Sequence, residues 1–354
     1  MFERLPRLAG TLLLATLAGA LFQWLHSPLP WMLGPLLVTA ALTLAGAPLD
    51  SSKRLRNGAQ WVIGSALGLY FTPEVAAQVA RLAPWTLLGA AWALLMGHLF
   101  GRWLLRCMAA GGGQGVDTGT AYFSSVIGGA SEMAVFAERM GARVDLVAAA
   151  HSLRVMVVVV TLPFAYQFAG LHGSDPAPVL GVGFDPVGFA GLALATAAGS
   201  TLMLWLRQPN PWVLGSLAAS LALTASGHAL SSLPPGLSQA AQLAIGVSLG
   251  TRFTPAFLHT APRWLAAVAS GTLGMILASA AFSGLVAWGA DLQPASVLLG
   301  NSPGGIAEMC LTAKVLDLGV PLVTAFHIVR YVIVLLLTGP IYRRFIHTEL
   351  QPRT

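Results

Sequence analysis

The stretch Gly300-Asn301-Ser302-Pro303-Gly304-Gly305-Ile306-Ala307-Glu308-Met309 decides the fold, because the chain carries a second version of it. The counterpart is Ser124-Ser125-Val126-Ile127-Gly128-Gly129-Ala130-Ser131-Glu132-Met133. In both, a Gly-Gly pair stands shortly ahead of a Glu-Met pair inside strongly apolar surroundings. Paired glycines interrupt a helix, and a carboxylate within a membrane-length apolar region is costly without a role or a partner.

Outward from these stretches the polar residues keep one register. Glu132 and Glu308, His151 and His327, and Arg154 and Arg330 are each 176 residues apart. Three polar identities at one offset in an apolar chain mark an internal duplication. Earlier segments align too: Pro30-Trp31-Met32-Leu33-Gly34 answers Pro211-Trp212-Val213-Leu214-Gly215, and the segment beginning at Gln60 answers the one beginning at Gln242. The expected organisation is repeat 1 over 1–168, a linker over 169–185, repeat 2 over 186–345 and a cytoplasmic tail over 346–354.

Composition sets the environment. The 354 residues are 56% hydrophobic and 9% charged, with mean hydropathy +0.73. A soluble chain carries roughly 25% charged residues, so the expected partner of this surface is the lipid bilayer. Apolar runs of about 20 residues recur along the chain, enough to cross about 30 Å of hydrocarbon. They are continuous rather than alternating, which argues against a transmembrane barrel. The net charge of +6 sits mostly in short loops, where membrane topology explains it and nucleic acid is not needed. Cys107 and Cys310 have no CxxC spacing, and the eight histidines form no ligand motif, so no metal site and no enzyme is expected. Residues 8–25, after Arg4 and Arg7, are read as a retained first span rather than a signal peptide, because the second half has a counterpart.

Twelve apolar segments are expected: 7–25, 31–47, 58–72, 85–107, 118–140 and 145–168, then 186–206, 212–227, 238–253, 264–289, 295–316 and 320–342. If all of them cross from a cytoplasmic N-terminus, Lys and Arg divide 10 inside to 7 outside. If 118–140 and 295–316 enter and return on one side, the division becomes 15 inside against Arg81 and Lys314 outside. The positive-inside rule favours the second arrangement. Each half then has five crossings plus a re-entrant Gly-Gly hairpin, and an odd count inverts one half relative to the other. The expected fold class is therefore all-α and polytopic, built from two inverted repeats, an architecture shared by many secondary transporters.

The candidate site residues follow from depth. Glu132 and Glu308 stand about one turn past the hairpin tips, where a carboxylate can take up a proton or a cation. His151 and Arg154, and His327 and Arg330, are i, i+3 pairs on one helix face. Each arginine is about ten residues into its span and needs an anion: a substrate carboxylate, or the hairpin glutamate in a structural clamp. The histidines are read as proton relays or as packing residues. Ser124, Ser125, Asn301 and Ser302 precede the tips, and with Gly128, Gly129, Gly304 and Gly305 they are read as ligand contacts or as caps of the broken helices. Gln60 and Gln242 are possible further contacts. No cofactor is expected beyond a coupling H⁺ or Na⁺.

The paired GGxxEM motifs and the duplication resemble the AbrB family of bacterial membrane proteins over essentially the whole chain. Ser302-Pro303-Gly304-Gly305-Ile306-Ala307-Glu308-Met309 fits the family hairpin fully, whereas the first copy has Ile127 where the motif has proline. The family is similar in organisation to cation/proton antiporters and anion transporters, and its hairpins resemble those of glutamate and citrate carriers that work as elevators. The resemblance implies a bacterial inner-membrane protein with cytoplasmic termini, a homodimer, and a carrier of a small, anionic metabolite. Family members are also labelled regulators of gene expression or ammonia monooxygenases. These residues offer neither a DNA-reading element nor a metal cluster to support those labels.

Overall fold

Every regular element among the described residues, 4–110, 116–173 and 183–346 of the computed structural model, is a helix. Of the expected linker, residues 174–182 lie outside this description, as does the expected tail from residue 347 onward. The first half gives α1 (Arg4–Trp24), α2 (Pro30–Leu44), α3 (Lys53–Gly68), α4 (Pro73–Arg81), α5 (Ala83–Ala109), α6 (Thr118–Ser125), α7 (Ala130–Arg139) and α8 (Val144–Phe168). The second gives α9 (Pro186–Trp205), α10 (Pro211–Ala225), α11 (Leu237–Gly250), α12 (Pro255–Thr260), α13 (Pro262–Ala290), α14 (Pro294–Asn301), α15 (Ile306–Val315) and α16 (Val320–Ile341). Proline sets many of the starts: Pro30, Pro186, Pro211, Pro262 and Pro294 occupy first turns, where a missing N–H leaves no bond unmade.

Among the described residues six helices are long and apolar enough to cross a membrane, namely α1, α5, α8, α9, α13 and α16 with its following residues. The chain has the composition and helix lengths of a multi-pass membrane protein. The expected segments 31–47 and 212–227 are shorter helices, α2 and α10, of 15 residues each. Their limits are local. Leu29 and Asn210 adopt left-handed φ of 46° and 47° just ahead of the starting prolines, and Gly46 and Gly227, at φ 90° and 83°, end the two helices. The expected segment 58–72 is also displaced: α3 starts five residues earlier, where the Ser52 hydroxyl accepts the Arg54 N–H at 3.2 Å. The short helices α4 and α12 are polar enough to fall between the apolar runs and are absent from the sequence reading.

The chain forms two compact units, and each draws on both halves. One comprises Met1–Arg81, Leu162–Leu258 and Cys310–Pro321; the other comprises Leu82–Thr161, His259–Met309 and Leu322–Thr354. In the first unit, helices pair across the halves through small residues. A Cβ on Gly64 would meet the Val213 carbonyl, and one on Gly68 would meet Ser220, so α3 lies directly on α10. The Ser220 hydroxyl donates to the Ser65 carbonyl at 2.8 Å. The reciprocal contact sets Gly246 and Gly250 of α11 against the Met32 and Leu36 carbonyls of α2. Such close approach is the way apolar helices associate without a hydrophobic drive. Because the opposing atoms are backbone, they cannot yield. Gly64→Val and Gly246→Val should each destabilise by about 1–3 kcal/mol, read as a lower melting temperature in detergent. Gly58→Ala on α3, with nothing within 4 Å of the new Cβ, should melt no lower than the parent.

The second unit holds both broken stretches. Around the first, Tyr122, Phe123, Val126, Met133, Val334 and Tyr342 form a buried cluster. Around the second, Val286, Ala287, Val297 and Phe326 do the same.

Candidate functional site

Each decisive stretch is a helix, an extended break and a second helix. α6 begins where the Asp117 carboxylate accepts the Thr120 N–H at 2.7 Å, and it ends at Ser125. Val126 is extended (φ −55°, ψ 132°) and so is Gly129 (φ −71°, ψ 138°), after which α7 starts at Ala130. Past α7, the Arg143 N–H donates to Thr120 Oγ1 at 2.8 Å, which brings the chain back to the start of α6. In the second copy α14 ends at Asn301, Ser302 is extended (φ −63°, ψ 146°), and α15 starts at Ile306.

The geometry explains the motif residue by residue. The second glycine of each pair precedes its helix, and the glutamate stands at the third helical position. From there its side chain folds back: Glu132 Oε2 occupies the space a Cβ on Gly129 would need, and Glu308 Oε2 does the same at Gly305. The carboxylate is thereby set at the start of its helix, where the positive end of the macrodipole favours it. The backbone angles of Gly129 are open to any residue, so glycine is required here for its missing Cβ rather than for its freedom. The first glycine of each pair faces the methionine. A Cβ on Gly128 would lie 3.1 Å from Met133 Cε, and one on Gly304 would lie 2.6 Å from Met309 Cγ. The same two glycines receive a valine from the other half of the chain, Val334 at Gly128 and Val158 at Gly304. Those valines are themselves 176 residues apart, a pair the sequence reading passed over as ordinary apolar residues.

A helix that stops inside an apolar unit leaves carbonyls without donors. Arg154, 2% exposed, supplies them: Nη1 donates to the carbonyls of Val126 at 3.0 Å, Ser125 at 3.2 Å and Ser124 at 3.5 Å. Arg330, 5% exposed, donates to the Ser302 carbonyl and, at 2.9 Å, to that of Gly304. The histidines finish the pattern. His151 Nε2 lies 2.9 Å from the Phe123 carbonyl while its Nδ1 lies 2.9 Å from Arg154 Nη2. His327 makes the matching contacts with the Leu299 carbonyl at 3.1 Å and Arg330 Nη2 at 2.7 Å. Since a guanidinium only donates, Nδ1 accepts and Nε2 carries the proton, so both partners fix one neutral tautomer. The charges of Arg154 and Arg330 also act on one another.

The structure thus brings the residues of the two broken stretches and the His-Arg pairs together in one unit. The clamp from Arg154 to Glu132 considered above is not what holds that arginine, whose donors go to backbone and to His151. Of the polar residues ahead of the tips, Ser125 and Ser302 donate to the Tyr122 and Leu299 carbonyls of their own helices, at 2.8 and 2.7 Å. The Asn301 amide donates to Ser283 Oγ at 3.2 Å. Ser124 Oγ and Arg154 Nε are buried without partners, two unused donors at the first break. Gln60 and Gln242 lie on α3 and α11, in the other unit. Among the described residues no group of three or more His, Cys, Asp or Glu stands together.

The family described as "Transition state regulatory protein AbrB" matches residues 31–346, a stretch that takes in both motif copies and both His-Arg pairs. The chain belongs to the AbrB family. A relative named "Putative regulator AbrB" from Escherichia coli (strain K12) is 27% identical over 94% of this chain and 94% of its own length. The "Uncharacterized protein YhjN" of Bacillus subtilis (strain 168) is 24% identical over 90% of this chain and 87% of its own. In this AbrB chain the near-full coverage means that the paired breaks belong to the matched region rather than to an addition.

Proposed function

We propose that this AbrB-family chain is a secondary transporter of a small anionic metabolite, coupled to H⁺ or Na⁺ through Glu132 and Glu308. The observation that carries the reading is the pair of broken helices in one unit, each with a carboxylate over a helix start and a guanidinium at a helix end. In this reading the two breaks are re-entrant hairpins that meet near mid-membrane, the two halves are inverted repeats of five spans each, and both termini are cytoplasmic. The charge division of 15 to 2 supports that orientation. The protein would sit in the inner membrane as a homodimer, with the second unit moving as an elevator-like carrier. Arg154 and Arg330 hold the breaks open as a positive centre, and the unused donors of Ser124 and Arg154 are placed for an acceptor on the substrate.

The test is uptake by proteoliposomes under imposed pH and Na⁺ gradients. Glutamine can still cap from the third helical position but carries no charge. Glu132→Gln and Glu308→Gln should therefore fold normally and abolish ion-coupled accumulation; unchanged coupling in both variants would remove the assignment.

A second reading, an effect on gene expression, is favoured by the regulator names of the family and of one relative. Here it follows from transport, because a metabolite moved across the membrane changes the level its own sensors see. A deletion strain complemented with Glu308→Gln separates the two: restored expression without transport would favour direct regulation.

A further inference from the structure

We propose that the first unit contains a second binding site, for a small organic acid, organised around Lys314. The inference goes beyond the carrier reading and holds whether or not the chain transports. Within that unit lies a cavity of about 510 Å³ lined by Tyr70, Ser238, Gln239, Gln242 and Lys314. That volume falls in the range of small-molecule sites, roughly 300–1,000 Å³.

What marks the cavity is that its polar lining is unused. None of these five side chains makes a hydrogen bond among the described residues, and Lys314 has no ion-pair partner there. Gln242 is the sharpest case, being 7% exposed yet facing the cavity with its amide unpaired. That amide opens onto the cavity, where a group seated there can take up both its donors and its acceptor. Lys314 stands in the last turn of α15, and α11 begins at Leu237 beside the cavity, its N-cap Gly236 offering no capping side chain. An ammonium, an uncapped helix start, two amides and two hydroxyls make a set rich in donors, which selects an anion. No acid lines the cavity among the described residues; Asp317, whose charge acts on Tyr70, stands outside the lining.

Apart from Ser232, the rest of the wall is apolar, with Leu69, Leu233, Pro234 and Val315. A bare inorganic anion would leave that wall in contact with water. A carboxylate bearing a short hydrocarbon part satisfies both faces, with the carboxylate on Lys314 and Gln242 and the hydrocarbon on the leucines and proline. The sequence alone counts Lys314 as an outside charge of segment 295–316 and Gln242 as a possible contact of the hairpin or the substrate. The fold places them together instead.

The experiment is titration calorimetry of the full chain in detergent with butyrate, benzoate and succinate, using chloride as the control for ionic strength. At least one acid should bind the parent protein at millimolar concentration. Lys314→Met and Gln242→Leu should each weaken binding about tenfold or more, a change of about 1.4 kcal/mol. Lys314→Arg should retain most of it, and Lys53→Gln, which removes an exposed charge from the same unit, should not alter it. Melting temperatures close to the parent's exclude loss of fold. Binding of none of the three acids, equal binding by Lys314→Met, or binding of added phosphatidylglycerol alone would each overturn the proposal. Because the readout is equilibrium binding, a failure of transport in vesicles leaves it standing, and the reverse holds too.

Discussion

Arg154→Leu should leave the protein unable to fold stably, although arginine is the residue an apolar unit would be expected to lose most easily. The guanidinium donates to three carbonyls at the end of α6 and to His151. Leucine satisfies none of them. Each buried carbonyl stripped of its donor is disfavoured by about 1–3 kcal/mol, so the total is several kcal/mol against a net stability of roughly 5–15 kcal/mol. Size-exclusion of detergent extracts after a heating series reads this directly, and Arg330→Leu should behave alike at the Ser302 and Gly304 carbonyls. Arg154→Lys should fall between, because an ammonium lacks the planar fork that reaches carbonyl and imidazole together. His151→Phe should be mild, about 1 kcal/mol, since it removes one bond while the arginine keeps the carbonyls. An Arg154→Leu protein that melts with the parent would mean that the break is held by something else.

Gly129→Ala and Gly305→Ala are expected to do the opposite: fold well and lose function. The φ and ψ of Gly129, −71° and 138°, suit alanine. The added methyl, however, takes the space of the glutamate Oε2 at each site. The carboxylate must swing away from the helix start, and coupling through it should fall about tenfold or more for each ~1.4 kcal/mol of displaced interaction. The measurement is ion-driven uptake set beside a melting curve. If uptake survives while melting is unchanged, the carboxylate's seat over the helix start is irrelevant to coupling. Gly128→Ala separates steric crowding from carboxylate displacement, because the Cβ there meets flexible Met133 rather than the acid.

Several of these features were legible before any coordinates. Mean hydropathy and run length gave an all-helical chain with long apolar helices, because crossing hydrocarbon demands about 20 apolar residues whatever the tertiary fold. The repeated GGxxEM marked both breaks within one residue of where α7 and α15 begin. Helix α3 and the short α4 and α12 were harder to read, since caps such as Ser52 act through geometry rather than hydropathy. The arginines were legible as buried cations, but the choice between glutamate and backbone as their partner was not.

What the amino-acid sequence determined by itself was local and periodic: apolar lengths, two interruptions, and one offset of 176 shared by Glu, His and Arg. Those follow from residue chemistry along the chain. What only the tertiary structure decided was who meets whom: Arg154 with carbonyls 124–126, Val334 with Gly128, Lys314 with Gln242 around one cavity. Such meetings depend on helices packing across distant segments, with small residues and backbone atoms making the contact, and backbone carbonyls carry no mark in the sequence.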